Sequence, residues 1–239
     1  MLRRTSKLEG SRILALDGDI GKLCDIYFDD ERWIVRYLVV DTGGWLSGRK
    51  VLISPRSVES IDRSLHTVSV SLTRERIRAS PSFDTDKPVS RQHESDFYLY
   101  YGYPTYWPRS TQWITGPLPP GNIPLAADPF EVEARRRAEE PSDLSAADSR
   151  LRSIQEVSGY GISASNDNVG HVKEFLFDDE TWSVRFLVVD TGGWLLGRHV
   201  LVNPDCIREV DWGGRRVRVS QTREQIKQGS VRCERSAAR

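Results

Sequence analysis

The chain has 239 residues, and its 34 Lys and Arg residues balance 34 Asp and Glu residues, so its formal net charge at pH 7 is zero. A neutral chain has no global field that would draw the whole molecule onto nucleic acid or anionic lipid. No segment approaches the roughly 18 consecutive apolar residues of a membrane span, and the N-terminal residues lack the apolar run of a secretory signal. We therefore expect a cytoplasmic protein with no membrane span and room for two compact domains.

Cysteine and histidine spacing gives no sign of a metal or redox site. No two cysteines form a Cys-x-x-Cys pair, and no histidines stand at the spacing that metal sites use. We therefore predict no metal, no cofactor and three reduced thiols, at Cys24, Cys206 and Cys233.

The first predicted domain, residues 1–83, consists of short strands joined by tight turns. Apolar residues fill both faces of "WIVRYLVV", interrupted only by Arg36, which indicates a central strand covered on both sides. After the last strand, Thr73 is placed to cap a short helix that has Glu75 in its first turn. The predicted strands are "SRILALD", "KLCDIYF", "WIVRYLVVD", "KVLIS" and "TVSVSL".

The predicted linker, residues 84–149, is rich in aromatic residues and proline. Five of the eight tyrosines lie between Tyr98 and Tyr106, and the surrounding Pro and Gly residues argue against a continuous helix or a central strand. Aromatic rings at this density rarely stay in water, so we expect Phe97 to Trp113 to pack on the domains or to bind a partner. Further on, "DPFEVEARRRAEE" predicts a short helix capped by Asp128.

The third segment, residues 150–239, repeats the first at a constant offset of 149 residues. Residues 28–49 and 177–198 are identical at 18 of 22 positions, because only positions 32, 34, 37 and 47 differ from their counterparts. Equal spacing of turns and apolar positions predicts equal topology, and two copies are an internal duplication rather than a solenoid.

These motifs resemble the PRC-barrel domain, present twice. The resemblance lies in the Gly steps "DIGKLCDIYFDD" and "NVGHVKEFLFDD", the "LVVDTGGWL-GR" core and the "VLI-P" strand. The family includes the cytoplasmic part of the photosynthetic reaction-centre H subunit and the ribosome-maturation factor RimM. It implies a mainly β fold of two small barrels in tandem, each followed by a short helix and joined by the aromatic, Pro-rich linker. The family also implies docking onto macromolecules, with no catalytic residues to transfer.

The Asp-Thr-Gly turns of the two copies have two readings. In aspartic proteases a pair of such carboxylates shares a proton and activates water. A structural reading accounts for more residues, because Asp41 and Arg49 would face each other across a hairpin and the glycines would supply the turn. We favour the structural reading for the residues Asp41, Gly43, Gly44, Asp190, Gly192 and Gly193.

Exposed aromatic and arginine side chains are the candidates for partner contact, since such residues dominate protein interfaces. We expect a non-enzymatic protein-binding or assembly module, with a protein partner or self-association. An RNA-associated or ribosome-assembly role is the first alternative, and a reaction-centre H-like accessory role and a hydrolase follow. Nucleic acid has weak support, from an excess of Lys and Arg after residue 207. The candidate contact residues are Trp45, Arg49, Trp194, Arg198, Tyr101, Tyr103, Tyr106 and Trp107.

Overall fold

The computed structural model describes residues 1–83, 89, 91–105, 150–192 and 199–227. The helix predicted at Asp128 lies outside these residues, as do Tyr106, Trp107, Gly193, Trp194 and Arg198. The described residues form two seven-stranded sheets, which we call barrel 1 and barrel 2.

Strands β2 to β7 and the strand β8, which comes later in the chain, form barrel 1. The order across the sheet is β5-β4-β3-β2-β7-β6, with β8 beside β3. Neighbours are antiparallel except β2 and β7, which run parallel. The short helix α1 (Arg74–Arg78) follows, capped by Thr73 as predicted. The strand bounds are β1 (Leu2–Arg4), β2 (Arg12–Ala15), β3 (Gly18–Asp29), β4 (Ile34–Asp41), β5 (Lys50–Ile53), β6 (Val58–Asp62), β7 (Thr67–Val70) and β8 (Leu151–Ser153).

Barrel 2 repeats this topology strand for strand. Its order is β12-β11-β10-β9-β14-β13, with β1 beside β10. Two short helices belong to it, α3 (Ile154–Val157) before β9 and α4 (Arg223–Lys227) after β14. The bounds are β9 (Gly161–Ser163), β10 (Asn168–Asp178), β11 (Val184–Asp190), β12 (His199–Val202), β13 (Ile207–Asp211) and β14 (Arg216–Val219). The predicted pair of mainly β barrels, each followed by a short helix, is confirmed.

Each unit requires a glycine at a point where the backbones of two neighbouring strands approach closely. Gly21 has a φ of 137°, and a Cβ at this position would lie 2.0 Å from the carbonyl oxygen of Asp41. Its counterpart Gly170 has a φ of 147° and would meet the carbonyl oxygen of Asp190 at the same distance. Only glycine fits there, because any side chain would occupy the space of the neighbouring backbone.

The two barrels exchange their first strands. Strand β1 pairs with β10 of barrel 2 through Leu2 and Asp178, and β8 pairs with β3 of barrel 1 through Leu151 and Asp29. A strand that is first in its own repeat therefore completes the sheet of the other repeat. The equivalent ends of β4 and β11 also meet, in an isolated bridge between residues 34 and 183.

Helix α2 (Arg91–Tyr101) arises within the predicted linker and packs on barrel 1. This helix was not predicted from the sequence. It ends before Gly102, whose φ of 72° suits a helix C-terminus, so it stops where the Gly- and Pro-containing stretch begins. Three aromatic side chains of α2 are buried, as expected for a segment that packs on a folded domain, and Tyr100 is half-buried. The buried three are Phe97, Tyr98 and Tyr101.

Candidate functional site

The aspartates of the two Asp-Thr-Gly turns each accept a hydrogen bond from the backbone of their own turn. Asp41 Oδ1 accepts a hydrogen bond from the backbone N–H of Gly43 at 2.8 Å, and Asp190 Oδ1 accepts one from Gly192 at 2.9 Å. The Gly192 N–H, with smaller contributions from His171 and His199, lowers the pKa of Asp190 below its usual value, although burial opposes this. Each carboxylate is therefore accounted for by its own turn, and Gly43, Gly44 and Gly192 are exposed beside it.

Arg49 does not pair with Asp41 as the sequence suggested. Its guanidinium donates to the backbone carbonyl oxygens of Arg78 at 3.2 Å and Ser80 at 2.6 Å. The hairpin is thereby tied to the C-terminal end of α1, and the charge satisfies carbonyl groups that a helix end leaves without intrahelical partners.

Trp45 is folded onto its own barrel rather than presented to solvent. The Arg74 guanidinium lies 4.8 Å and the Arg78 guanidinium 5.7 Å from the centroid of its ring. These cation–π contacts cover part of the ring surface that a partner would use. Its counterpart Trp194 lies outside the described residues, as does Arg198.

The predicted contact residues Tyr101 and Tyr103 form part of an internal aromatic cluster. The Tyr101 side chain is only 4% exposed, and its ring centroid lies 4.7 Å from that of Phe97. Burial raises its pKa to about 12. Tyr103 is half-buried and stacks on Tyr101 at 5.6 Å. Tyr101 is thus used within the chain, which corrects its assignment as an exposed contact residue.

Helix α2 covers one face of barrel 1. The Phe97 and Tyr37 rings are perpendicular, with their centroids 5.1 Å apart, and the Tyr37 hydroxyl donates to Glu94 Oε2 at 3.4 Å. Tyr37 is completely buried beneath this helix. Leu52, which lies on β5, and Ser54, which follows β5, are on the same face as Tyr37 and are also buried. The aromatic side of α2 and this face form a helix-on-sheet contact.

The equivalent face of barrel 2 is more open. Phe186, Leu201 and Asn203 stand at the positions of Tyr37, Leu52 and Ser54, and all three are half-buried. The described part of barrel 2 contains no helix that corresponds to α2. We call this surface the β11–β12 face. The β11–β12 face was not predicted from the sequence. The spacing of Phe97, Tyr98 and Tyr101 was a helical signal, and it indicated the helix that covers the equivalent face of barrel 1.

A cleft of about 210 Å³ lies where the two barrels meet. Equivalent positions of the two repeats face each other across it, including Asp25 and Glu174. Asp25 accepts a hydrogen bond from the Ser153 hydroxyl at 2.6 Å, and burial nevertheless raises its pKa. Glu174 is buried and accepts hydrogen bonds from Arg4 and Ser6. These polar groups are engaged with the exchanged chain segments, so the cleft is primarily a domain junction.

Among the described residues, no group of three or more His, Cys, Asp or Glu side chains could hold a metal ion. Cys24 is a free thiol whose pKa is raised, mainly by burial. Cys206 is disulfide-bonded, so the expectation of three reduced thiols is wrong at this position. No helix of the described residues is both long and apolar enough to cross a membrane.

The geometry defines a class of protein, a pair of small mainly β barrels that complete each other's sheets. The sequence family agrees with this architecture. The PRC-barrel domain matches residues 2–76 and 155–226, so the chain belongs to the PRC-barrel family and contains its domain twice. No curated protein matches the chain.

Proposed function

We propose that this chain is a non-enzymatic protein-binding or assembly module of the PRC-barrel type, and that the β11–β12 face receives a protein partner. The supporting observation is the difference between two equivalent surfaces. The face on barrel 1 is occupied by α2 of the same chain, whereas the face around Phe186 and Leu201 is half-buried. The repeat therefore contains both an occupied and a more open version of one binding surface.

The occupied version indicates what kind of partner would fit. Helix α2 presents aromatic rings, with Phe97 set edge-on to Tyr37. Position 186 is Phe rather than Tyr, so a partner needs no acceptor such as Glu94 opposite it. An amphipathic helix with one or two aromatic anchors has the required chemistry, since such helices bind apolar surfaces through residues three and four apart.

The absence of enzymatic activity is part of the same proposal. It is supported by the turns, because Asp41 and Asp190 each accept a hydrogen bond from their own loop and the pKa of Asp190 is lowered, mainly by the Gly192 N–H, rather than raised. A catalytic dyad instead requires two carboxylates that share one proton.

Site-specific photo-crosslinking in the native host tests the docking surface. A benzophenone amino acid placed at Phe186 preserves an aromatic ring there, and the same amino acid at Leu65, which is 70% exposed on barrel 1, is the matched control. We expect a protein adduct from position 186 that is lost in competition with excess peptide of residues 91–105, and no such adduct from position 65.

Equal adducts from both positions, or none from position 186, would exclude this surface. Salt-dependent retention of the chain on RNA, abolished by Arg216→Ala with Arg218→Ala, which are exposed and lie in the Arg-rich segment after residue 207, would instead favour the RNA-associated alternative.

A further inference from the structure

The junction of the two barrels has the form of a twofold-symmetric interface, although it lies within one chain. The backbone contacts across it occur in pairs related by the offset of 149 residues. The Asp30 N–H donates to the Arg150 carbonyl at 2.9 Å, and the Asp179 N–H donates to the Met1 carbonyl at 3.1 Å. The same surface patch thus appears on both sides, as in the isologous interface of a symmetric dimer.

Backbone pairing continues through the centre of this junction. The Val35 N–H donates to the Trp182 carbonyl at 2.8 Å, and the Val184 N–H donates to the Trp33 carbonyl at 2.7 Å. Apolar side chains surround these bonds, and Phe28 contacts Phe175 at 5.5 Å between ring centroids. Both phenylalanines are fully buried. The junction is therefore a continuous core rather than a loose contact between two domains.

The exchanged strands are held by equivalent ion pairs. Arg3 on β1 pairs with Asp179 of the other repeat at 2.5 Å, and Arg152 on β8 pairs with Asp30 at 3.0 Å. The Arg3 and Asp179 side chains are only 15% and 13% exposed. This ion pair therefore has the same residue types in both repeats.

We infer that a second copy of this chain can replace the cis partner at this junction, giving a strand-exchanged dimer in which barrel 1 of each chain pairs with barrel 2 of the other. All contacts of the junction are retained in such a dimer, and only the connection between them changes. Exchange of an identical element between protomers is a low-cost route to dimers. The inference does not depend on the β11–β12 face or on its partner.

Protein concentration determines which form dominates. Because both barrels belong to one chain, closure within that chain is independent of concentration and prevails in dilute solution. Exchange requires the buried junction to open, so the two forms interconvert only through unfolding. Dimers should therefore form during refolding at high protein concentration and persist after dilution.

A pair of charge-reversal variants separates exchange from surface association. In the Arg3→Asp variant, the new aspartate faces Asp179 of the same chain and is repelled by it. In the Asp179→Arg variant, the new arginine faces Arg3 of the same chain and is repelled by it. In an exchanged dimer of the two variants, one junction regains an opposite-charge pair and the other is the native pair. Different affinity tags belong on the C-termini, because the Met1 amino group contacts Asp179.

The full-length variants are unfolded in urea, mixed and refolded, and species with both tags are captured and weighed by light scattering. We expect the mixture to yield at least about tenfold more dimer than either variant alone, since an attracting pair replaces a repelling one. Mixing the folded chains without urea should yield none. The independent pair Asp30→Arg and Arg152→Asp should behave in the same way.

Refolded mixtures of both variant pairs that contain no more dual-tagged dimer than the single variants would overturn the inference. So would a dual-tagged dimer that forms equally well without unfolding. If a single variant does not refold alone, its recovery in the mixture is the expected result, and failure of both pairs to recover counts against exchange.

Discussion

The close approach at Gly21 allows the cost of a single methyl group to be worked out. In Gly21→Ala, the new Cβ would lie 2.0 Å from the Asp41 carbonyl oxygen and 2.9 Å from the Thr42 Cα. Both atoms belong to the backbone, so a rotamer change cannot relieve the collision. Overpacking costs about 1 to 3 kcal/mol, and a strained backbone conformation adds about 1 to 3 kcal/mol.

The expected loss for Gly21→Ala is therefore about 2 to 6 kcal/mol in the free energy of unfolding, a large share of the roughly 5 to 15 kcal/mol of a folded protein. Gly10→Ala is the matched control, because Gly10 has a φ of 76° but no atom within 4 Å of an added Cβ. That substitution carries only the conformational cost, about 1 to 2 kcal/mol.

Urea unfolding followed by circular dichroism measures both variants against the unaltered chain. Gly170→Ala should match Gly21→Ala, since its Cβ would also lie 2.0 Å from a backbone oxygen. Equal unfolding midpoints for Gly21→Ala and Gly10→Ala would refute the reasoning, because the collision would then contribute nothing beyond the strained φ.

Three further outcomes are expected. Phe97→Ala should lower the free energy of unfolding by about 3 to 5 kcal/mol, because it leaves a cavity at a buried site. Leu99→Ala, at a 78% exposed position of the same helix, should change it by less than about 0.5 kcal/mol. Similar losses for the two variants in urea titrations would contradict the packing of α2. Burial raises the pKa values of Tyr27, Tyr98 and Tyr101 from 10 to about 12. Between these pH values the unfolded chain loses the phenol protons before the folded chain does. The contribution of the neutral tyrosines to the free energy of unfolding is therefore present below pH 10 and is lost as the pH rises to 12. Phenolate absorbance and urea unfolding, measured from pH 10 to 12, check this prediction. Tyr98→Phe should reduce the dependence of the free energy of unfolding on pH. Finally, cleavage at a protease site inserted between residues 106 and 149 should leave two fragments that co-elute, because β1 and β8 hold the barrels together; separate elution would show that the junction depends on the covalent connection.

The sequence by itself determined the repeated unit, its strands and the position of its short helix. The positions of the five predicted strands along the chain follow from the alternation of apolar residues and from turns such as the one at Gly43, which depend on local chemistry, whereas β1 and β6 were not predicted. The offset of 149 residues, read directly from the sequence, carries that local prediction from one repeat to the other. Family membership follows from the same local motifs.

Only the tertiary structure decided which barrel each first strand completes and where the aromatic side chains of the linker lie. Leu2 and Leu151 have the same local pattern in either arrangement, and every strand edge offers the same backbone donors and acceptors. Arg49 likewise had two possible partners, and the carbonyl oxygens of Arg78 and Ser80 became available only once α1 was placed. Local periodicity specifies which face of a strand is buried, whereas the identity of its neighbour depends on how distant segments meet in space.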